Sequence, residues 1–421
     1  MATDGTAMST SPSRKRCALI GERLGHSYSA DIHRCWDLYD YELRPMPADE
    51  VPRFLQAGDF DGLNVTIPYK QLVIPHCDDI TPQAQAIGSV NTIVRDADGH
   101  LHGANTDYFG FAGMACRAGI DFAGRKVVIL GNGGTTRTVQ AVAADAGARA
   151  IVVVSRRGPV TYDRLADHAD ADILVNAAPV GMYPETDAMP ADPADFPSCT
   201  GVLDVIYNPA RTRLIQRAER LGIPCASGLW MLVEQARVAG GLFMGQTLDA
   251  SWTERVWREL SSRTLNVVLI GMPGCGKTTV GELLRQRLGR ELVDCDAEIV
   301  RRAGKPIADI FADEGEARFR DLEAAVIAEA AREHGRIIVT GGGAVLREQN
   351  RLNLRQNGRV FRLDRRLETL AIGQGRPLST DLARVAAMAA EREPLYRETA
   401  DATIDNNGTP EAAAEAILAR L

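Results

Sequence analysis

The sequence predicts an α/β protein built largely on parallel sheets, because a strand, a glycine-rich loop and a helix follow one another at two places. The first unit is KVVILGNGGTTRTVQAVAADAGA, from Lys126 to Ala148, and a strand at 150–154 completes a βαβ arrangement. The second unit is LNVVLIGMPGCGKTTVGELLRQRLG, from Leu265 to Gly289. Residues 16–125 hold further short strands, such as CALIG and DGLNVTIP, and are long enough for one more α/β domain. The two loops indicate a Rossmann dinucleotide-binding domain and, after it, a P-loop domain like that of the nucleoside monophosphate kinases.

The predicted domain limits follow from these units. An amphipathic helix, WTERVWRELSSR, ends in polar residues and places the main boundary near Ser262. We expect a disordered polar leader at 1–15, an α/β domain at 16–106 completed by helices at about 228–260, the Rossmann domain at 107–227 and the P-loop domain at 264–421.

Composition excludes several classes of protein. Of the 421 residues, 45% are hydrophobic and 24% are charged, as in globular proteins rather than disordered or fibrous ones. Apolar runs fall far short of the ~20 residues that a bilayer span needs, and the first residues contain no apolar core typical of a signal peptide. Eight cysteines without a CxxC pair suit a reducing compartment. We therefore expect a cytoplasmic protein with no membrane partner, and the net charge of −7 argues against nucleic acid.

Lysine is rare in this chain and therefore informative. Lysine and arginine total 48, and the only lysines are at positions 15, 70, 126, 277 and 305. Since arginine serves most surface roles, each remaining lysine is a candidate for specific chemistry. Lys70 and Lys277 lie within motifs.

The first glycine loop, GNGGTT, is a loose variant of the dinucleotide-binding fingerprint. Gly131, Gly133 and Gly134 would let the backbone approach a pyrophosphate at a helix N-terminus. The next strand ends in Ser155, Arg156 and Arg157 where NAD-dependent folds place an acidic residue, so a 2′-phosphate and hence NADP(H) is favoured. The alternative is a pair of solvated surface arginines.

Four further motifs of the first half carry polar groups: HSYSADIH from His26, NVTIPYK from Asn64, SVNTI from Ser89 and GANTD from Gly103. Each alone could be a helix cap or a turn. Together with VNAAPVGMYP, DVIYNP and GLWMLVEQA, they make residues 16–260 resemble shikimate dehydrogenase.

The resemblance implies NADPH-dependent reduction of 3-dehydroshikimate to shikimate. Lys70 and Asp107 would form the catalytic pair, in which the lysine relays a proton at the C3 oxygen. The substrate would be bound by Ser27, Ser29, Asn64, Thr66, Asn91, Tyr207 and Gln235.

The sequence departs from that family at two places. Trp230 replaces a glycine of the usual GLGML, which we expect to alter the floor of the site or the domain packing. Ser155, Arg156 and Arg157 replace the usual Asn-Arg-Thr and retain an arginine. A sister group oxidises quinate, so quinate as substrate and NAD as cofactor stay open alternatives.

The second glycine loop, GMPGCGKT at 271–278, is a complete P-loop motif between a strand and a helix. Backbone N–H groups of such a loop cradle phosphates, while Lys277 would reach the β- and γ-phosphates and Thr278 would bind Mg²⁺. The predicted ATP-binding residues here are Gly274, Cys275, Gly276, Lys277, Thr278 and Thr279.

Five more clusters narrow the class of the second half: DCD, RFRDLE, TGGGAV, GRPL and EREPLY. With the P-loop they make residues 265–421 resemble shikimate kinase. The resemblance implies Asp296 as the base at the shikimate hydroxyl and Asp294 in the magnesium shell. Arg320, Arg392, Gly342 and Gly343 would hold the substrate carboxylate, and Arg376 would meet ATP phosphates from a lid. That lid is short, with Ile372 where an arginine often stacks on adenine.

The two resemblances support each other, because the product of the first reaction is the substrate of the second. A bifunctional enzyme using NADP(H), ATP and Mg²⁺ is therefore predicted. One rival is a ligand sensor that has lost catalysis, although Lys70, Asp107, Lys277 and Asp296 are all present. Oligomeric state is left open, with a homodimer as one candidate.

Overall fold

The computed structural model describes residues 14–25, 28–370 and 382–421. Their contacts divide the chain into two compact units. Unit 1 comprises the described residues up to Pro179 together with Pro190–Val205 and Leu221–Trp257. Unit 2 comprises Val180–Met189, Ile206–Arg220 and the described residues from Arg258 onward.

The first sheet of unit 1 has six strands in the order β2-β1-β3-β5-β6-β4. Its elements are β1 (Arg16–Gly21), α1 (Ser29–Arg34), β2 (Asp40–Pro45), α2 (Val51–Ala57), β3 (Gly62–Val65), β4 (Asp79–Ile80), α3 (Pro82–Ile87), β5 (Thr92–Arg95) and β6 (Leu101–Ala104). Strand β5 runs antiparallel to β3 and β6, and the other pairs are parallel. The sheet is therefore mixed.

The second sheet is a five-stranded parallel sheet in the order β11-β10-β9-β7-β8. The elements of this region are α4 (Asp107–Arg117), β7 (Lys126–Leu130), α5 (Gly134–Asp145), β8 (Ala150–Val154), β9 (Ile173–Asn176), β10 (Gly201–Asp204), α6 (Arg213–Arg220), β11 (Cys225–Ser227), α7 (Leu229–Met244) and α8 (Ser251–Thr264). Residues 127–130 are fully buried, as expected of a strand covered on both faces. The Rossmann prediction is confirmed.

The third sheet, in unit 2, is parallel and has the order β13-β14-β12-β15-β16. Its region contains β12 (Asn266–Ile270), α9 (Lys277–Leu288), β13 (Leu292–Asp294), α10 (Cys295–Ala303), α11 (Ile307–Arg332), β14 (Ile337–Val339), α12 (Glu348–Gln356), β15 (Gly358–Asp364), α13 (Leu382–Thr399), β16 (Ala402–Asp405) and α14 (Pro410–Leu418). The central strand β12 is buried throughout and leads into the P-loop, which confirms the predicted fold class.

Trp230 packs within unit 1 against the helix that leads out of it. The guanidinium of Arg117 lies between two indole rings, 4.1 Å from the centroid of Trp230 and 4.3 Å from that of Trp257 on α8. Arg117 also pairs with Glu254 on the same helix. Such cation–π contacts favour a fixed arrangement of the three side chains. The tryptophan thus contributes to helix packing within unit 1, and its effect on the floor of the site or on domain packing stays a prediction.

None of the helices in the described part of the chain is both long enough and apolar enough to cross a membrane.

Candidate active sites

The predicted catalytic pair of the first half is in direct contact. Lys70 lies in the turn after β3, and Asp107 is the first residue of α4. The Lys70 Nζ donates to Asp107 Oδ2 at 2.6 Å, and both side chains are largely but not fully buried. The Val90 N–H donates to the Lys70 carbonyl at 2.8 Å and anchors that turn. The pair is therefore held in place while its charged atoms keep access to a ligand.

A buried amide network continues from this pair. The Asn91 Oδ1 accepts from the Thr106 N–H at 2.7 Å, and the Thr106 hydroxyl donates to Gln235 Oε1 at 3.2 Å. The Asn64 Nδ2 donates to Thr92 Oγ1 at 3.2 Å. Since Thr106 precedes Asp107, the network fixes three predicted substrate amides relative to the catalytic carboxylate.

The other four predicted substrate residues do not all lie in the same part of the structure. Ser29 is buried at the start of α1, and Thr66 packs closely against Gly21, where an added Cβ would lie 2.6 Å from Thr66 Cγ2. Tyr207 belongs to unit 2, and burial raises the pKa of its phenol, which stays a neutral hydrogen-bonding group. Ser27 lies outside the described residues.

The dinucleotide loop has the backbone shape that its glycines predict. Gly131 has φ 115°, and an added Cβ would lie 2.8 Å from the Ala178 nitrogen. A larger residue would therefore clash with the backbone at Ala178. The Thr136 hydroxyl accepts from the Gly133 N–H and donates to the Gly131 carbonyl, both at 3.1 Å. Gly134 starts α5, whose first N–H groups lack helical partners. These free N–H groups at the start of α5 can bind an anion such as a phosphate.

The residues after β8 divide into one buried and two exposed side chains. Ser155 is buried and its Oγ has no partner among the described residues, whereas Arg156 and Arg157 are exposed. The two guanidiniums have the charge and the solvent access to bind a phosphate.

In unit 2 the P-loop lysine bends back onto its own loop. The Lys277 Nζ donates to the carbonyls of Gly271 at 2.9 Å and Met272 at 3.0 Å. Gly276 has φ 97° and packs against Asn406, whose Nδ2 donates to the Cys275 carbonyl at 2.6 Å. The phosphate-binding loop therefore has a defined shape without a ligand. The Lys277 ammonium is bound only by neutral carbonyl groups, which phosphate oxygens could replace.

Thr278 and Asp294, the two residues predicted to bind magnesium, are in contact. The Thr278 hydroxyl donates to Asp294 Oδ2 at 3.0 Å. The other oxygen of Asp294 accepts the N–H groups of Asp296 at 3.1 Å and Ala297 at 3.2 Å and so caps α10. A hydroxyl and a carboxylate next to a phosphate-binding loop suit Mg²⁺, which prefers oxygen ligands.

The triple glycine makes room for the charged groups of the acceptor site. A Cβ on Gly341 would lie 2.7 Å from Asp296 Oδ1, one on Gly342 would meet Pro273 and one on Gly343 would meet the Arg320 guanidinium. The three glycines thus allow the backbone to contact the acid and the arginine directly. A larger residue would push the acid aside at 341 or the arginine aside at 343, and at 342 it would meet the ring and backbone nitrogen of Pro273.

Arg320 is oriented by a carboxylate that is almost fully buried. Its Nη1 donates to Glu323 Oε2 at 2.9 Å, and Glu323 Oε1 has no partner among the described residues. Burial raises the pKa of Glu323, and the Arg320 charge opposes that shift.

These groups line one cavity of about 430 Å³. The predicted residues at its wall are Gly274, Gly276, Lys277, Thr278, Thr279, Asp294, Asp296, Arg320, Gly342, Gly343 and Arg392. Arg392 is buried with its Nε unpartnered in the described chain, which suits a bound anion. Arg376 and Ile372, the predicted lid residues, lie outside the described residues.

Some supporting residues are absent from the predicted set. The Tyr41 hydroxyl donates to Asn64 Oδ1 at 2.7 Å, and His33 stacks on the Tyr41 ring with centroids 3.8 Å apart. Tyr41 has no local sequence signal, whereas His33 is the last residue of the HSYSADIH motif. Thr106 could have been selected, because it lies beside Asp107 in GANTD, and Glu323 because it lies one helical turn from Arg320.

Fold and sites together define a two-part enzyme, in which a dinucleotide-binding oxidoreductase is followed by a P-loop phosphotransferase. Family models match at residues 19–93, as the shikimate dehydrogenase substrate binding domain, and at 273–421, as shikimate kinase. The shikimate dehydrogenase (NADP(+)) of Clostridium perfringens strain SM101 is 34% identical over 270 residues, spanning 59% of this chain and 99% of the relative. The shikimate kinase of Thermobifida fusca is 46% identical over 169 residues, spanning 38% of this chain and 97% of the relative.

Solved structures agree for the first part. A chorismate mutase/shikimate 5-dehydrogenase fusion protein from Clostridium acetobutylicum superposes with a TM-score of 0.56 at 31% identity, covering 59% of this chain and 97% of that one. The chain belongs to the shikimate dehydrogenase family over its first part and to the shikimate kinase family over its second.

Proposed function

We propose that this chain reduces 3-dehydroshikimate to shikimate with NADPH and then phosphorylates the shikimate 3-hydroxyl with ATP and Mg²⁺. The observation that carries the proposal is the presence in one chain of the Lys70–Asp107 ion pair and of a P-loop cavity lined by Asp296. The hydroxyl made in the first reaction is the acceptor in the second.

In the reduction, NADPH supplies a hydride to the ketone carbon when it is bound. Lys70 donates a proton to the ketone oxygen as charge develops there, and Asp107 holds the ammonium in position at 2.6 Å. Asn64, Asn91 and Gln235 orient the substrate hydroxyls, with Ser27, Ser29, Thr66 and Tyr207 completing the predicted shell. Arg156 and Arg157 favour a cofactor with a 2′-phosphate.

In the phosphorylation, ATP with Mg²⁺ supplies the γ-phosphoryl group when bound. Asp296 accepts the proton of the attacking 3-hydroxyl, while Lys277 leaves its carbonyl acceptors for the phosphates. Arg320 and Arg392 clamp the substrate carboxylate, which aligns the hydroxyl for in-line attack. Thr278 and Asp294 would hold the metal.

One incubation tests both reactions. The full chain is mixed with 3-dehydroshikimate, NADPH, ATP and Mg²⁺, and NADPH absorbance and product masses are followed. Shikimate 3-phosphate is expected to accumulate. Absence of NADPH consumption with intact protein would contradict the first assignment, and accumulation of unphosphorylated shikimate would contradict the second.

Assays on the same purified protein distinguish two alternatives to the proposed function. Oxidation of quinate faster than shikimate, or equal use of NAD and NADP, would indicate a quinate/shikimate dehydrogenase of broader use. Tight binding of shikimate with no turnover in either direction would indicate a ligand sensor. We further propose small-molecule substrates as partners, without nucleic acid or membrane, a homodimer as one open candidate, a cytoplasmic location and the domain limits given by the sequence.

A further inference from the structure

A buried threonine lies between two of the predicted substrate amides in the first sheet. Thr92 begins β5 and is fully buried. It lies opposite Asn64 in the antiparallel register of β3 and β5, and it directly follows Asn91 in the chain. The Thr92 Oγ1 is 3.2 Å from Asn64 Nδ2 and 3.1 Å from Asn91 Oδ1. One hydroxyl therefore contacts both amides.

The direction of the hydrogen bonds around this hydroxyl follows from groups that can act in one way alone. The Thr106 backbone N–H can only donate, so the atom of Asn91 that lies 2.7 Å away is the oxygen. The Leu232 carbonyl can only accept, so Gln235 turns its nitrogen to that carbonyl at 2.9 Å and its oxygen to the Thr106 hydroxyl. The single proton of the Thr106 hydroxyl is therefore used in the hydrogen bond to Gln235.

Thr92 supplies the link between the two asparagines in a matching direction. The Asn64 Nδ2 is 3.4 Å from the Asn91 backbone carbonyl, which can only accept, and the same nitrogen donates to Thr92 Oγ1. The Thr92 hydroxyl can then donate its own proton to Asn91 Oδ1. No other residue in the described part of the chain forms a hydrogen bond with Asn91 Nδ2. Asn91 is thus held by its oxygen, and its N–H groups remain for a ligand.

A buried tyrosine begins this series of hydrogen bonds. The Tyr41 hydroxyl donates to Asn64 Oδ1 at 2.7 Å, which leaves the Asn64 nitrogen for Thr92. The Tyr41 ring stacks on His33, and burial lowers the pKa of His33 to about 3, so the imidazole is neutral. Tyr41 therefore packs on an uncharged ring that does not change its protonation near neutral pH.

The same hydrogen bonds connect Asn91 with the catalytic pair through adjacent residues. Thr106, whose N–H donates to Asn91 Oδ1, directly precedes Asp107. Val90, which directly precedes Asn91, donates its N–H to the Lys70 carbonyl at 2.8 Å. The orientation of the Asn91 amide is therefore set relative to both members of the pair.

We propose that Thr92 is a positioning residue of the dehydrogenase, which acts together with Tyr41. Its hydroxyl fixes Asn64 and holds the Asn91 oxygen, so that Asn91 donates an N–H to an oxygen of the substrate. This inference deepens the proposed dehydrogenase function and rests on it.

The test compares Thr92→Val with Thr92→Ser in the full chain. Valine keeps both branches at Cβ but has no hydroxyl, whereas serine keeps the hydroxyl and loses a methyl group. KM and kcat are measured for 3-dehydroshikimate reduction. In Thr92→Val, KM should rise roughly three- to tenfold, as expected for loss of one hydrogen bond, with a smaller fall in kcat. Thr92→Ser should stay within about twofold of the unsubstituted chain, whereas a packing role alone would favour valine.

Tyr41→Phe and Tyr39→Phe form a second matched pair. Both tyrosines are buried and lie against His33, but the Tyr41 hydroxyl donates to Asn64, whereas that of Tyr39 is 2.6 Å from His33 Nδ1. KM should rise in Tyr41→Phe and stay unchanged in Tyr39→Phe. Backbone hydrogen exchange at Thr106, measured in parallel, should become faster in Thr92→Val and not in Thr92→Ser, because the acceptor of this N–H is no longer held.

Each outcome decides the inference. Equal KM values in Thr92→Val and Thr92→Ser overturn it, and so does a loss confined to kcat, which would place the effect at the catalytic pair. If the unsubstituted chain does not reduce 3-dehydroshikimate, the proposed function fails, and exchange at Thr106 still decides whether Thr92 holds Asn91. If Thr92→Val does not fold, the two tyrosine variants decide, and equal KM values in them overturn the inference.

Discussion

Lys70 is the residue whose replacement separates the two chemistries most clearly. In Lys70→Met the side chain keeps its length and loses the proton, so kcat for 3-dehydroshikimate reduction should fall by roughly 10²–10⁴-fold. Shikimate phosphorylation should stay near normal, because the groups assigned to it lie in the P-loop cavity. Both rates are measured on the same preparation. Lys126→Met is the control, since the Lys126 ammonium pairs only with Asp170 among the described contacts. An equal loss of reduction in Lys126→Met would contradict the assignment.

Arg156 tests the choice of cofactor. In Arg156→Ala a charge-assisted contact worth ~1.5–3 kcal/mol would be lost only with a cofactor that carries the 2′-phosphate. We expect KM for NADPH to rise about tenfold or more and KM for NADH to change little. Arg149→Ala, which removes an exposed arginine paired with Asp172, serves as the control. Equal effects on both cofactors would exclude a 2′-phosphate contact.

The helix α10 depends on Asp294, which makes two separate sets of contacts. One oxygen caps α10 and the other accepts from Thr278. Asparagine also caps helices well, so Asp294→Asn should keep the melting temperature while raising the Mg²⁺ concentration needed for half-maximal kinase activity. Asp294→Ala should show the same magnesium defect and lose a further ~1 kcal/mol of stability. Matching magnesium dependence in Asp294→Asn and the unsubstituted chain would show that this carboxylate does not act at the metal.

Helices, strands and loops whose shape depends on adjacent residues could be predicted from the sequence. The P-loop is one contiguous motif whose glycines, lysine and threonine act on one backbone curve, so its structure follows from adjacent residues. The strand β7 was predictable because burial on both faces requires a continuous apolar run. By contrast, Tyr41 lies on a different strand from Asn64, to which it donates a hydrogen bond. The distance between the two residues in the sequence does not predict that contact.

The behaviour of the whole molecule in acid depends on partly buried ion pairs such as Arg211–Asp401. Burial, the largest single influence, would raise the pKa of Asp401, but the hydrogen bond and charge of Arg211, the Val360 N–H and the charge of Arg355 together hold that pKa below its ordinary value. The resulting stabilisation is complete above the unfolded-state pKa, near ~4, and disappears as pH falls through the lower folded-state value.

Urea unfolding of unit 2, measured from pH 7 to pH 3, should therefore show a steeper loss of stability for the unsubstituted chain than for Asp401→Asn. Between pH 6 and pH 7 the two curves should run parallel, which provides an internal control. Parallel curves throughout would mean that the Asp401 pKa is not depressed in the folded protein.

The grouping of residues 206–220 with the kinase could not be predicted. Arg211 and Asp401 are 190 positions apart, and in an arginine-rich sequence Arg211 resembles any surface arginine. The family motifs assign each half of the chain to an enzyme, but they report ligand chemistry and not the contacts that a fusion adds.

The paired tryptophans give this chain a built-in spectroscopic probe. The protein has four tryptophans, at positions 36, 230, 252 and 257, and all of them lie in unit 1. Two close pairs account for all four, Trp36 with Trp252 and Trp230 with Trp257, at 6.3 and 6.0 Å between ring centroids. Emission excited at the red edge of indole absorption therefore reports the unfolding of unit 1 alone, in the intact chain and without any label.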